Sequence, residues 1–253
     1  MLTAGHATPN PPFVSVLVPT FARTRTLAET VECFARQTYA GRCELVILND
    51  CSAQTLRCAV PHVRTINCAR LSSLGLKRNA LTRYAHGELF QYWDDDDIYL
   101  PDHIAHGVEL LRDNEPASRG WFEWQLRSDG TLTREVSGPL RAVTMRRAAF
   151  EALGGFAAID RDEDIELVHR GIARGWFHGA HHHRSFGPPT VIRRPDTAGP
   201  HAETTLDGRA YTAATLAMIA SGEEPAGEVI VSPSWRVDYS AMVRNFDKRA
   251  AES

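Results

Sequence analysis

Glu88-Leu-Phe-Gln-Tyr-Trp-Asp-Asp-Asp-Asp-Ile-Tyr-Leu-Pro101 is an apolar run that ends in four consecutive aspartates, Asp94 to Asp97. Like charges so close repel one another, and neither a strand nor a helix gains from them, so a cation is expected to compensate the tetrad. A divalent metal carrying a phosphorylated substrate is the leading candidate. Two plainer readings compete: a calcium loop, and a solvated acidic turn capping a helix from about Pro101, with Asp97 and Asp102 facing its dipole. The calcium loop is the weaker, because its alternating ligands and central glycine are missing. If the apolar run is a strand of an open α/β sheet, the tetrad lies where such sheets bind ligands, outside the carboxyl ends of the strands.

Upstream, the chain alternates in the way that such a sheet requires. Val14-Ser-Val-Leu-Val18 is a β-rich run stopped by Pro19, and Leu27, Val31, Phe34 and Ala35 recur at helical spacing between Arg25 and Gln37. Cys43 to Leu48 and Val63 to Ile66 are further strand-like runs, and a helical stretch from about Leu74 to Tyr84 precedes the run that opens on Glu88. This order indicates parallel strands with crossover helices. Downstream, a helix is expected from about Pro101 to Arg112. Trp121 to Leu126 and Leu132 to Val136 then flank Ser128-Asp129-Gly130, a hairpin signal, so an antiparallel pair is expected to join the sheet. Residues 144 to 153 read as a helix stopped at Gly154-Gly155, where a left-handed cap suits glycine. Another helix should run from about Glu163 to Ala173 and end at Gly175. From His181 to Pro200 the chain reads as a long loop, followed by a helix near 204 to 220 and an irregular tail.

The 253 residues are enough for one large α/β domain, alone or with an appendage. A net charge of -3 offers no basic field for nucleic acid. No stretch approaches the roughly 18 apolar residues of a membrane span, and Met1 to Pro12 is unlike a secretion signal. A soluble, cytoplasmic protein is therefore expected, with peripheral contact to the inner face of a membrane left open. The five cysteines, Cys33, Cys43, Cys51, Cys58 and Cys68, form no Cys-x-x-Cys pair, which favours reduced thiols over zinc or disulfides.

Three segments converge at carboxyl strand ends: Pro19-Thr20-Phe21-Ala22-Arg23, Asn49-Asp50-Cys51-Ser52 and the tetrad. With Lys77-Arg78-Asn79-Ala80, Leu153-Gly154-Gly155-Phe156 and Asp162-Glu163-Asp164, these stretches give six motifs in order over about residues 13 to 175. The set resembles that of the inverting family 2 glycosyltransferases with the GT-A fold, which move a sugar from a nucleotide-sugar donor. The resemblance implies a Rossmann-like, mostly parallel sheet flanked by helices, with a small antiparallel element and a C-terminal helical or loop extension. It places a flexible N-terminus at 1 to 12 and a GT-A domain at 13 to 200. The donor half covers about 13 to 100 and the acceptor half about 101 to 200, while residues 201 to 253 carry no interpretable motif and could be a lid, a dimer contact or an acceptor platform.

Through that resemblance, Asp50 meets the uracil or ribose of the donor near Pro19, Thr20, Phe21 and Arg23. Ala22 departs from the family, many of whose members have Asn there. Asp50 could instead cap a turn with Ser52. Arg78 and Asn79 match the pair that approaches the donor diphosphate. Asp94 and Asp96 match the signature carboxylates: Asp96 is the ligand of Mg2+ or Mn2+, Asp94 meets the ribose or a metal-bound water, and Asp95 supports them beside the donor, as Asp97 does. Asp164 is the implied general base, with Glu163 as substitute, and inversion follows from attack opposite the leaving phosphate. His181, His182 and His183 could supply a further metal ligand, His181 and His183 being named for it, or could simply be exposed. Trp121 and Trp124 suit either stacking on an acceptor sugar or a core strand.

The implied reaction moves one sugar, with uridine diphosphate as the expected carrier, to a hydroxyl of a small molecule, glycan or lipid-linked sugar; a homodimer is compatible. Processive synthases of the family carry membrane helices and a Gln-x-x-Arg-Trp motif, both missing here. A nucleotidyltransferase is the first rival, but it predicts a glycine-rich phosphate loop, and Pro19 to Arg25 contains no glycine. A catalytically silent nucleotide-sugar-binding protein is the second.

Overall fold

A computed structural model describes residues 10–111, 115–120, 122–136, 140–176, 188–194 and 208–252, the side chains of 208–212 and 247–252 excepted. Its first elements are β1 (Val14–Thr20), α1 (Thr24–Ala35), β2 (Cys43–Asn49), β3 (Gln54–Arg57), β4 (Val63–Asn67), α2 (Leu74–Tyr84), β5 (Leu89–Tyr92) and β6 (Ile98–Tyr99). Then come α3 (His103–Leu110), β7 (Ala117–Arg119), β8 (Phe122–Leu126), β9 (Leu132–Val136), β10 (Val143–Arg146), α4 (Arg147–Leu153) and α5 (Glu163–Ala173). β11 (Val191–Arg193), α6 (Gly208–Ser221), β12 (Gly227–Ile230) and α7 (Tyr239–Glu252) complete the described chain.

Every residue of β1 is buried, which a strand allows only where both faces are covered. Val14, Val16 and Val18 face one apolar cluster with Leu27 and Val31 of α1, while Leu17 faces the other with Leu81 of α2 and Phe150 of α4. That alternation is the period of two expected of a pleated strand. The central sheet has the order β4-β2-β1-β5-β10-β7. Its first four strands are parallel, whereas β10 runs antiparallel to both β5 and β7. The strand order reverses between β1 and β5, so the crevice at their carboxyl ends is the position favoured for a ligand. Segments 20–23 and 94–97 both emerge there.

Several expectations are corrected. Pro19 lies inside β1 rather than ending it: pairing with β5 stops at Leu17↔Tyr92, so Pro19 needs a partner only on the β2 side. Residues 143–146 are a strand and not the start of a helix; Val143, Thr144 and Met145 are buried between β5 and β7, where β-branched side chains fit. The hairpin of β8 and β9 forms around Gly130, whose φ is +82°. It joins a separate sheet of order β6-β11-β8-β9 instead of the central one. β11 lies within the stretch expected to be loop, and the expected irregular tail contains β12, parallel to β3, and α7. No described helix is long and apolar enough to cross a membrane, and the five cysteines are free thiols.

Candidate active site

Alternation decides which aspartates of the tetrad meet the crevice. The side chains of Asp95 and Asp97 are 4% and 6% exposed, whereas those of Asp94 and Asp96 are 31% and 20% exposed. The turn is anchored by the Trp93 ring, stacked on Tyr99 with centroids 4.1 Å apart, and by the Asp94 N–H, which donates to the Tyr99 hydroxyl at 2.7 Å.

Arginines supply the first compensation for this charge. Arg23 Nη1 donates to Asp95 at 2.6 Å and to Asp96 at 2.9 Å, and Arg78 Nη2 donates to Asp94 at 2.9 Å. Arg141 Nε donates to Asp97 at 2.8 Å and lies 3.8 Å from Asp94. Thr20 Oγ1 adds a bond to Asp95 at 2.6 Å. Burial opposes the charge of Asp94, yet Arg78 and Arg141 hold its carboxyl below the ordinary range. At Asp97 burial wins over Arg141 and pushes the carboxyl up to about 7.

Arg78 ties the tetrad to the second acidic motif. Its Nε donates to Glu163 at 3.0 Å while Nη2 holds Asp94, so one guanidinium bridges residues of β5's end and α5's start. Burial raises the Glu163 carboxyl, against the pull of Arg78. Asp164 follows in the same first helical turn, half-buried and within electrostatic reach of Arg78 and Arg119, and its Oδ1 accepts from the Ile165 N–H at 2.8 Å. Through Arg78 the tetrad and the Asp162–Asp164 motif are brought together.

Two glycines make this approach possible. A Cβ on Gly75 would stand 1.8 Å from the Ala157 carbonyl oxygen, so α2 enters against the 157–159 loop only with glycine there. A Cβ on Gly155, at φ +77°, would stand 2.7 Å from Asn79 Oδ1. Asn79 exchanges bonds with the Phe156 backbone, donating at 2.9 Å and accepting at 2.8 Å. Its amide is thereby engaged in docking α2 to the segment leading into α5.

Asp50 is fully enclosed. Lys77 Nζ donates to its Oδ1 at 2.5 Å, and Arg70 Nη1 and the Leu71 N–H donate to its Oδ2 at 2.7 and 3.0 Å. Burial opposes its ionisation, but Lys77 holds the carboxyl low. Lys77 also donates to the Thr20 carbonyl at 2.5 Å, and Arg70 covers the Phe21 ring at 4.4 Å from its centroid. Both oxygens of Asp50 are thus engaged within the chain. The turn contact considered for Asp50 is made by its neighbour, since Asn49 Oδ1 accepts from the Cys51 N–H at 3.1 Å.

Trp124 is core: 3% exposed, it donates to the Pro189 carbonyl at 3.1 Å and meets Phe246 edge-on at 4.9 Å, leaving no face for a sugar. Trp121, His181, His182 and His183 lie outside the described residues. Lys77, Arg141 and Arg194 are site residues that sequence reasoning gave no role. Lys77 at least stands beside Arg78 in a recognisable motif; Arg141 and Arg194 reach Asp97 from 44 and 97 positions away, with no local signal.

Among the described residues no three or more His, Cys, Asp or Glu gather into a metal-ligating group. Asp94 and Asp96 nevertheless fit a hard divalent cation that draws most of its shell from water and substrate phosphate, because such ions need only one or two carboxylates.

Residues 15–168 match the family described as Glycosyl transferase family 2. The uncharacterized glycosyltransferase YwdF of Bacillus subtilis (strain 168) is 32% identical over 95 residues, 36% of this chain and 35% of that protein. The match thus spans about a third of its length. Among solved structures, S. aureus TarS 1-349 in complex with UDP-GlcNAc has a TM-score of 0.54 at 14% identity, covering 90% of this chain and 69% of that one. The mannosyltransferase PcManGT from Pyrobaculum calidifontis, in complex with GDP-Man and Mn2+, has a TM-score of 0.53 at 16% identity, covering 96% of this chain and 83% of that one. These two likenesses are of fold, and the fold is of the GT-A type. With more than half of its length matched, the chain belongs to glycosyl transferase family 2.

Proposed function

We propose that this protein transfers one sugar from a nucleoside diphosphate sugar, with a uridine carrier as the first expectation, to an acceptor hydroxyl, with inversion at the anomeric carbon. The observation that carries the reading is the Arg78 guanidinium held between Asp94 and Glu163, which sets a phosphate-handling edge beside a candidate base.

Asp96, with Asp94, would hold Mg2+ or Mn2+, and a bound ion of this kind supplies Lewis-acid stabilisation of charge on a departing diphosphate. Arg78 and Arg23 offset only part of the carboxylate charge on this edge, so the divalent ion would supply the remainder needed to receive an anionic donor. Asp164 takes the proton from the acceptor hydroxyl, which must come within about 2.6–3.2 Å. Glu163 is the less accessible candidate, 3% exposed and bonded to the Arg78 guanidinium, whereas Asp164 is half-buried. Asp50 and Asn79 act through the walls they fasten, Asp50 by fixing Lys77 and Arg70, Asn79 by docking α2.

Calorimetric titration of the full chain with UDP and GDP, with and without Mn2+, followed by a hydrolysis and transfer screen over sugar nucleotides, tests this reading. Metal-dependent binding together with turnover of at least one donor is expected. Binding without even slow donor hydrolysis would favour a silent binder, and no binding of either nucleotide would overturn the proposal.

A further inference from the structure

Arg194 follows β11 and is almost wholly enclosed, its side chain 1% exposed. It grips the tetrad from beneath. Its Nε donates to the Asp96 carbonyl oxygen at 2.7 Å, and its N–H donates to Asp97 Oδ1 at 3.3 Å. On its far side Nη1 donates to Glu29 Oε2 at 2.5 Å and to the Tyr239 hydroxyl at 3.2 Å. Glu29, on α1 and 1% exposed, also receives Arg236 through Nε at 3.0 Å and Nη2 at 2.8 Å, and the Tyr239 hydroxyl at 2.8 Å. One enclosed carboxylate thus gathers α1, the end of β11 and the segment leading into α7, and passes their hold to the backbone of Asp96.

Enclosed ion pairs are a poor source of net stability, since well-packed apolar replacements are often neutral or better. Directional bonds are what this cluster provides. Fixing the carbonyl of Asp96 and the carboxylate of Asp97 fixes the backbone from which the Asp96 side chain projects. We propose that Arg194 is a positioning residue that sets the Asp96 carboxylate for cation and diphosphate binding, with Glu29, Arg236 and Tyr239 as the lock that holds Arg194 in place. The part that concerns the cation rests on the donor-binding reading above; the ordering of the tetrad does not.

The test compares the wild-type chain with Arg194→Lys and with Glu29→Gln/Arg194→Met. Lysine can keep the pairing with Glu29 but cannot reach Glu29 and the Asp96 carbonyl together, and the double variant removes both enclosed charges and so guards against simple misfolding. Hydrogen exchange of peptides covering 93–98 is read in the free proteins, and Mn2+-dependent binding of UDP and GDP is read by calorimetry. Exchange is expected to rise selectively at 94–98 in both variants. Affinity for the Mn2+–nucleotide pair should fall by about 10- to 100-fold, the usual effect of removing a group that orients a metal ligand. Wild-type exchange at 94–98 in either folded variant would overturn the proposal, and so would a rise spread evenly over the central sheet with a lowered melting temperature, because a merely structural role moves the whole protein. If the wild-type chain binds neither nucleotide, the donor reading fails by itself, and exchange still decides whether Arg194 orders the tetrad.

Discussion

Arg78 holds two carboxylates that would otherwise repel each other across the crevice, and burial makes that role costly to remove. Arg78→Met should destabilise the fold by about 3–5 kcal/mol, because Glu163 is left as an enclosed charge without its partner. Adding Glu163→Gln should recover a substantial part of the loss, a coupling that urea denaturation of the two single variants and the double variant would measure. Asp164→Asn removes no such partner. It should leave Mn2+-dependent nucleotide binding intact and lower transfer by roughly 10²- to 10⁴-fold, the ordinary value of a positioned base; an undiminished transfer rate would remove Asp164 from the mechanism. Motif reading named Asp50, Arg78, Asn79, Asp94, Asp96 and Asp164 as site residues, and in the structure Arg78 joins Asp94 to Glu163 while Lys77 joins Asp50 to Thr20. It could not anticipate that Asp50 and Asn79 spend their bonds on Lys77, Arg70 and Phe156, because a motif names residue types and not the partners that consume them.

Helix α1 starts at Thr24 with no side-chain cap from its own N-cap residue. Glu224, 200 positions later, serves instead, its Oε2 accepting from the Thr24 N–H at 3.1 Å and the Thr24 hydroxyl at 2.7 Å. Glu224→Ala should cost about 0.5–2 kcal/mol, as loss of an N-cap does, seen as a lower urea midpoint with an unchanged slope. At the start of α3, His103 is packed edge-on to Trp93 and Tyr99, and burial pushes its imidazole down to about 3. Between pH 6.5 and about 3 the unfolded imidazole is protonated and the folded one is not, so this group's stabilisation is complete above 6.5 and drains away as pH falls through that window. Replacing His103 by Asn should flatten that part of the stability–pH curve. The helices α2 and α5 were legible to their bounds, α5 with Gly175 as its stop. β10 and β11 were not, because a strand of three or four residues is defined by the neighbours it pairs with. α7 did leave a trace: Tyr239, Met242, Val243 and Phe246 recur at helical spacing and pack on the core.

Across the molecule, the walls of the crevice are assembled from both ends of the described chain. β12 lies against β3, and Val231, Tyr239 and Val243 enter the same apolar cluster as β1. Removing residues 232–253 should therefore cost several kcal/mol, at about 1.5–3 kcal/mol for each enclosed apolar side chain lost, with a large drop in melting temperature and loss of Mn2+-dependent nucleotide binding. The parallel sheet and its rim were readable from the first two thirds of the chain, but this closure was not, since no local pattern reports a contact 207 positions away. The Glu29 cluster also bears on synthesis. Glu29 leaves the ribosome 165 residues ahead of Arg194 and 207 ahead of Arg236, an interval on the order of 10–40 s at ordinary elongation rates. During that interval the nascent half-sheet carries a carboxylate destined for its interior with no counter-charge to accompany it, so translation itself must delay the final closing of the rim until the later segments arrive.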